Sequence, residues 1–273
     1  MSDKISLAGD LGSGKSTVAN ILIDRLQAEY YSTGAIVRSI AARHGMSVVE
    51  LNIYMETHPE IDTEIDNGLV ELGNADKSMV IDSRMAWHFT KGTFKVYLST
   101  DVETSALRIM GANRHGEHAA TLEDTISETK ARRESEKKRY KKQYGVDIKD
   151  LSNYTLIVDT TVATPAQVAQ CILSSLEEWR SNPQFLAVYI SGERLNYPDD
   201  EPDDELVAFY STRLDEGEEI AEVKVFEEDG EFFVESGVEA ALAHSFTDKP
   251  FFRATLVKGD AKGKKFVKMK NSL

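Results

Sequence analysis

The sequence predicts an α/β protein built on a parallel sheet, followed by a smaller α+β part. Two observations carry the first half: short apolar runs alternate with helical patterns as far as Trp179, and the first run leads straight into a glycine-rich turn and a helix. A third sets the remainder apart. Beyond Ser181-Asn182-Pro183 the runs become short and alternating, in the manner of half-buried strands.

The first strand is expected over residues 4–8, where Ile5-Ser6-Leu7-Ala8 is nearly all apolar. Gly9, Asp10, Leu11, Gly12, Ser13, Gly14, Lys15, Ser16 and Thr17 follow as a complete G-x-x-x-x-G-K-[ST] phosphate loop, and a helical pattern continues over 18–26. Strand, loop and helix in that order are the context in which the motif binds a nucleotide, here ATP. The glycines let successive amides turn inward onto phosphate oxygens, and the first turn of the helix adds unpaired amides and a positive dipole end. Lys15 supplies a point charge for the β- and γ-phosphates, and the Ser16 hydroxyl is placed to ligate the bridging Mg²⁺.

Further strands are expected over 28–31, 79–82, 94–98 and 154–158. The helices between them have legible ends. Ser47-Val48-Val49-Glu50 is a capping box, and Thr164-Pro165-Ala166-Gln167 joins an N-cap, a proline at the first helical position and a glutamine that reaches back. Asp101 and Thr121 read as N-caps, the latter opening a long charged helix that runs to Tyr144 and stops at Gly145. In the last part, strands are expected over 185–190, 220–226, 232–235 and 251–257. The carboxylate run over 199–205 reads as a solvated loop and the basic run over 258–270 as a solvated tail. The organisation expected is therefore a nucleotide-binding domain over 1–182 and a small α+β accessory domain over 183–273.

Composition narrows the function classes. A net charge of −14 disfavours nucleic acid or an anionic membrane as a partner, since both need a positive surface. Cys171, the single cysteine, excludes an intramolecular disulfide and lies on an apolar stripe with Val168, Ile172 and Leu176, which suits a small buried hydrophobe. No basic-then-apolar leader pattern opens the chain, so a cytoplasmic location is expected.

A phosphate loop leaves the second substrate open, and arginines narrow it. Two phosphate-bearing molecules held together need several guanidiniums to neutralise them. Arg38 follows the second strand, and Arg84 follows the third just after Asp82, which ends an apolar run where an acid orients Mg²⁺ or its water. Arg132, Glu136 and Arg139 share one face of the long helix at i, i+4 and i+7, a spacing that suits a lid. Their neighbours Arg133, Lys137 and Lys138 read as solvated. Arg108 and Arg114 flank an expected hinge at Gly111, placed either to contact ATP or to sit in solvent on the lid. His115 and His118 have no further ligand nearby that would make a metal site.

Over about residues 4–179, in the length range of one domain, the chain resembles the cytidylate kinase-like branch of the nucleoside monophosphate kinases, especially its short archaeal type. The phosphate loop, Ser32-Thr33-Gly34-Ala35-Ile36-Val37-Arg38, Glu56-Thr57-His58-Pro59-Glu60-Ile61-Asp62 and Ile81-Asp82-Ser83-Arg84 carry the resemblance. So do Arg132-Arg133-Glu134-Ser135-Glu136-Lys137-Lys138-Arg139-Tyr140, Tyr144-Gly145-Val146-Asp147 and Asp150-Leu151-Ser152. It implies a three-layer α/β/α P-loop NTPase fold with a five-stranded parallel sheet, a mobile acceptor-binding region and a helical lid. It also implies that Arg38, Arg84, Arg132 and Arg139 hold the acceptor phosphate or the migrating γ-phosphoryl group, Lys15 and Arg132 stabilising the latter. Glu136 would stand near the pyrimidine, in place of the aspartate of many bacterial members, and Ser83 stands where glycine is common.

The function expected is ATP-Mg²⁺-dependent transfer of a phosphoryl group to a nucleoside monophosphate, CMP or dCMP foremost. The alternatives are a nucleotide sensor acting through its C-terminal domain and a P-loop kinase of another small acceptor. Small-molecule nucleotides are the partners expected, with self-association or a protein contact left to the C-terminal domain.

Overall fold

The computed structural model describes residues 2–111 and 121–268. Its centre is β1 (Lys4–Gly9), whose middle residues are buried on both faces, as a near-continuous apolar run in a parallel sheet requires. β1 lies between β3 (Met79–Asp82) and β4 (Phe94–Ser99), with Ile5 opposite both Val80 and Phe94. β2 (Glu29–Ser32) adds outside β3, and β5 (Leu156–Asp159) adds outside β4, all parallel. The loop-bearing end of β1 is thus held at the middle of the parallel strands. There the C-terminal ends of neighbouring strands form the crevice in which open α/β sheets bind ligands.

The sheet does not stop at the five strands expected. After β5 the chain crosses back through α8 (Pro165–Ser181), whose Thr164–Gln167 capping box forms as expected, and returns as β6 (Ala187–Ile190), parallel to β5 with Leu156 opposite Ala187. β10 (Phe252–Leu256) then pairs antiparallel with β6, and β8 (Lys224–Glu228), β9 (Glu231–Ser236), β7 (Leu195–Pro198) and β11 (Phe266–Lys268) continue outward. Among the described residues eleven strands, in the order β11-β7-β9-β8-β10-β6-β5-β4-β1-β3-β2, make one mixed sheet. The physical reason is the exposed edge: β5 leaves a row of unpaired backbone groups, and the apolar stretch after Pro183 is the nearest segment able to pair with it.

Residues on the two sides of position 182 therefore share both sheet and core. On one face α1 (Lys15–Leu26) and α8 pack Val18, Leu22, Val168 and Ile172 against Ile5, Leu7, Phe94 and Val158. On the other, Tyr97, Tyr154 and Ile157 join Leu195, Val225, Phe232, Ala240 and Phe252 in a single cluster. α10 (Val238–Ser245) packs on β9, and α9 (Asp204–Asp215) packs on α10. The acidic run ahead of α9 is exposed, and Asp203 within it caps the helix through the amides of Glu205 and Leu206. The basic end is not wholly a tail, since β11 lies inside it. Lys268 and Lys264 reach Glu231 and Glu235 of β9 at 2.8 and 3.0 Å, charge pairs that lay the segment along the sheet.

The remaining helices surround the mouth of the sheet. α2 (Thr33–His44), α3 (Val48–Met55) and α4 (Pro59–Asn74) have their own small core of Ile40, Leu51, Met55 and Ile65. α5 (Ala86–Phe89) is one turn, and α6 (Val102–Gly111) starts on the Asp101 cap. α7 (Leu122–Tyr144) runs from Thr121 to a left-handed Gly145, as the sequence predicts. Among the described residues no helix is long and apolar enough to cross a membrane.

One buried charge pair joins the two halves at the end of β5. Arg194, 3 % exposed, lies 3.5 Å from Asp159 and donates to the Gly230 carbonyl at 3.1 Å. Asp159 also accepts from the Thr161 hydroxyl at 2.7 Å and the Ser191 amide at 3.3 Å. Removing one partner strands the other charge in the interior. Arg194→Leu is expected to cost about 3–5 kcal/mol of stability, read by urea unfolding. Pairing it with Asp159→Asn should recover part of that loss, and an unchanged midpoint in the single variant would show the pair to be inert.

Candidate active site

Backbone sterics shape the phosphate loop before any ligand arrives. Gly9 has φ +146°, and a Cβ there would lie 2.3 Å from the Leu98 carbonyl oxygen; at Gly12, with φ +72°, it would lie 2.5 Å from that of Ser105. Only glycine fits either place. The Ser105 hydroxyl donates to the Leu11 carbonyl, and Ser13 donates to the Asp10 carbonyl at 2.8 Å, so neighbouring elements hold the turn.

Lys15 folds back over this turn and donates to the carbonyls of Gly9 and Asp10 at 3.0 and 2.6 Å. Burial pushes its ammonium down from 10.5 to about 8, against the pull of Asp82, Asp10 and Glu136 and with the help of Arg84. Ser16 and Asp82 meet at 3.4 Å across the loop, and the Tyr30 hydroxyl donates to the same Asp82 oxygen at 3.1 Å. One hydroxyl and one carboxylate are a donor set suited to Mg²⁺, which keeps much of its water and takes few protein oxygens. Among the described residues no cluster of three or more His, Cys, Asp or Glu forms a metal cage.

The arginines named from the sequence are placed unequally. Arg84 Nε pairs with Glu136 Oε2 at 2.5 Å, and Arg132 Nε with Glu136 Oε1 at 3.2 Å, so both oxygens of this buried carboxylate are engaged by guanidiniums. Burial alone would raise the Glu136 carboxyl, but Arg84, Arg132 and Arg139 together hold it below the usual range. Arg139 is locked onto Asp62 of α4 at 3.2 Å and Asn52 Oδ1 of α3 at 3.0 Å, and Ser135 donates to Glu56 at 2.6 Å. These contacts seat the middle of α7 on the α2–α4 unit. Arg38 is exposed, its guanidinium back over Gly34 at the start of α2. Arg108 stands apart from this group and donates to the carbonyls of Thr160 and Thr161 at 2.7 and 3.1 Å. Arg114, His115 and His118 lie outside the described residues.

A second charge cluster gave no sign in the sequence. Asp10, 6 % exposed, accepts from the Tyr97 hydroxyl at 2.8 Å, from the Thr100 amide at 3.0 Å and from the Lys149 ammonium, and Arg133 approaches it at 3.6 Å. Burial would raise this carboxyl, but Lys149 and Arg133 outweigh it and hold it well below the usual carboxylate range. Arg133 reads as solvated together with Lys137 and Lys138, a usual fate for a charged helix, and only the packing of α7 over the loop turns it inward. Lys149 follows α7 in a turn with no motif of its own. Asp62 lies in a segment that carries the family resemblance, which implies no role for it. Together Gly9, Asp10 and Leu11 of the loop, Arg84, Glu136, Arg133, Lys149, Tyr97 and Tyr154 line a cavity that opens to solvent.

Residues 4–162 match the model of the cytidylate kinase-like family. The cytidylate kinase of Archaeoglobus fulgidus is 35% identical over 175 residues, 64% of this chain and 94% of that protein. That of Thermoplasma volcanium is 36% identical over 182 residues, 64% of this chain and 92% of that protein. Among solved structures, shikimate kinase from Bacteroides thetaiotaomicron aligns with a TM-score of 0.46 at 14% identity, covering 66% of this chain and 98% of that one. At that distance substrates are not inherited. With a complete phosphate loop at the centre of a parallel sheet, and a family match across more than half its length, the chain belongs to the cytidylate kinase-like family.

Proposed function

We propose that this protein transfers the γ-phosphoryl group of ATP to the phosphate of a nucleoside monophosphate, CMP or dCMP foremost, releasing ADP and the nucleoside diphosphate. The observation that carries this reading is the convergence of Lys15, Arg84, Arg132, Arg133 and Lys149 around one phosphate loop, in a chain of this family. An acceptor phosphate oxygen is already ionised, so it attacks the γ-phosphorus without a strong base, and the bond to the bridging β-γ oxygen breaks as ADP leaves. The protein's part is alignment, neutralisation and exclusion of water.

The loop amides and Lys15 would hold the β- and γ-phosphates of ATP. Ser16 and Asp82 fit as protein ligands of Mg²⁺, which when bound would neutralise the charge developing on the β- and γ-oxygens. Arg38, Arg84, Arg132 and Arg139 are assigned to the acceptor phosphate and the migrating group, and Arg108 to the ATP side. Arg139 acts largely through Asp62 and Asn52, by fixing α7 on the acceptor-binding helices. Residues 1–182 form the catalytic unit in this reading, and 183–273 an accessory lobe fastened to it by the shared sheet and by Arg194. That fastening favours coupling between lobe and nucleotide site over a freely moving sensor.

The test is ATP turnover against a panel of nucleoside monophosphates and non-nucleotide acceptors. Stimulation by CMP or dCMP above the rest is expected, and no stimulation by any pyrimidine nucleotide would defeat the assignment. Lys15→Ala should lower kcat by at least about 100-fold. Because its charged form binds phosphate and burial holds it at about 8, kcat/KM for ATP should be level below that pH and fall above it. A profile flat to pH 9.5 would contradict this role. Glu136→Ala should lower kcat about 10- to 100-fold with every accepted base, since it releases Arg84 and Arg132. A change confined to base preference would instead place Glu136 at the base.

A further inference from the structure

We propose that Arg133 and Lys149 form a phosphate subsite against the first half of the phosphate loop, and that it takes the phosphate monoester of the acceptor. This deepens the phosphotransfer reading above and rests on it for the identity of the ligand. The subsite is one wall of the cavity that also holds Arg84 and borders Gly9 and Asp10.

Arg133 is the first support. Its Nε and Nη2 are buried and have no hydrogen-bond acceptor among the described residues, and the nearest carboxylate oxygen, on Asp10, is 3.6 Å away, beyond hydrogen-bond reach. Buried guanidinium N–H groups without acceptors are costly, and phosphate oxygens are the acceptors that match their fork. Lys149 is the second. Its ammonium has three donors; two go to Asp10 and to the Tyr97 hydroxyl, which leaves one for the cavity.

The other cations of the site are more fully committed. Arg84 and Arg132 both pair with Glu136, and Arg139 is held by Asp62 and Asn52. Asp10 keeps the two remaining cations in place and Glu227 also faces Lys149, so what the wall offers a phosphate is the donors of Arg133 and Lys149 that these carboxylates leave unused. Position sets acceptor beside donor. The triphosphate of ATP belongs on Lys15 and the amides at the start of α1, and Lys15 donates to the carbonyls of Gly9 and Asp10, which this wall borders, so a phosphate held here lies next to the one Lys15 grips.

Titration calorimetry on the full chain tests the assignment, using the four ribonucleoside monophosphates, their nucleosides and a non-hydrolysable ATP analogue. Wild type should bind its preferred monophosphate far more tightly than the matching nucleoside. Lys149→Met and Arg133→Met should each weaken that monophosphate about 10- to 100-fold while leaving the nucleoside and the ATP analogue within about twofold. Lys149→Arg, which keeps the charge, should restore most of the loss and decides the matter if Lys149→Met folds poorly. The proposal is overturned if the ATP analogue loses the affinity instead, if well-folded variants bind the monophosphate as wild type does, or if no monophosphate outbinds its nucleoside. Binding that follows the expected pattern without any turnover would remove the kinase reading and leave the subsite standing.

Discussion

A site that receives two phosphate-bearing molecules must store positive charge before they arrive, and cations crowded into a partly buried cavity repel one another and lose their hydration. The molecule meets this constraint by giving nearly every cation an internal anion or dipole. Glu136 takes Arg84 and Arg132, Asp62 takes Arg139, Asp10 takes Lys149 and Arg133, and backbone carbonyls take Lys15. The depressed ammonium of Lys15 is the part of the strain that remains, because burial and the neighbouring Arg84 outweigh the pull of Asp82, Asp10 and Glu136.

Those pairs also decide the architecture. Three of the anions come from different places: Asp10 from the loop, Asp62 from α4, and Glu136 from the same helix as its partner Arg132. α7 therefore cannot seat without drawing together the loop, helices α3 and α4 and the turn that carries Lys149. The far lobe follows the same logic at lower charge density. Arg194 is inserted at the end of β5, next to the loop where Thr160 and Thr161 receive Arg108, so the strand edge and the ion pair fasten the added lobe beside the nucleotide side.

Much of the fold could be read directly. β1, the phosphate loop and α1 are local: each residue's role follows from its neighbours in sequence, as do the capping boxes at Ser47 and Thr164 and the stop at Gly145. Strand pairing beyond β5 was not legible, because a short apolar run such as that of β6 looks the same whether it opens a new sheet or extends an old one. β7 and β11 were harder still. Each is short, four residues in β7 and three in β11, and β11 is held to the sheet by cross-strand pairing and by charges distant in sequence.

By itself the sequence determined where a triphosphate can be gripped, since the loop depends on backbone freedom at a few glycines and on Lys15 and Ser16 at fixed offsets, all of which are local properties. It also marked out Arg38, Arg84, Arg132 and Arg139 as a group. Only the tertiary structure decided which cations face the cavity and which are held elsewhere. A side chain's electrostatic partner is set by how helices pack, and on α7 that packing turned Arg133 toward Asp10, set Arg139 into α3 and α4, and put Glu136 between two guanidiniums.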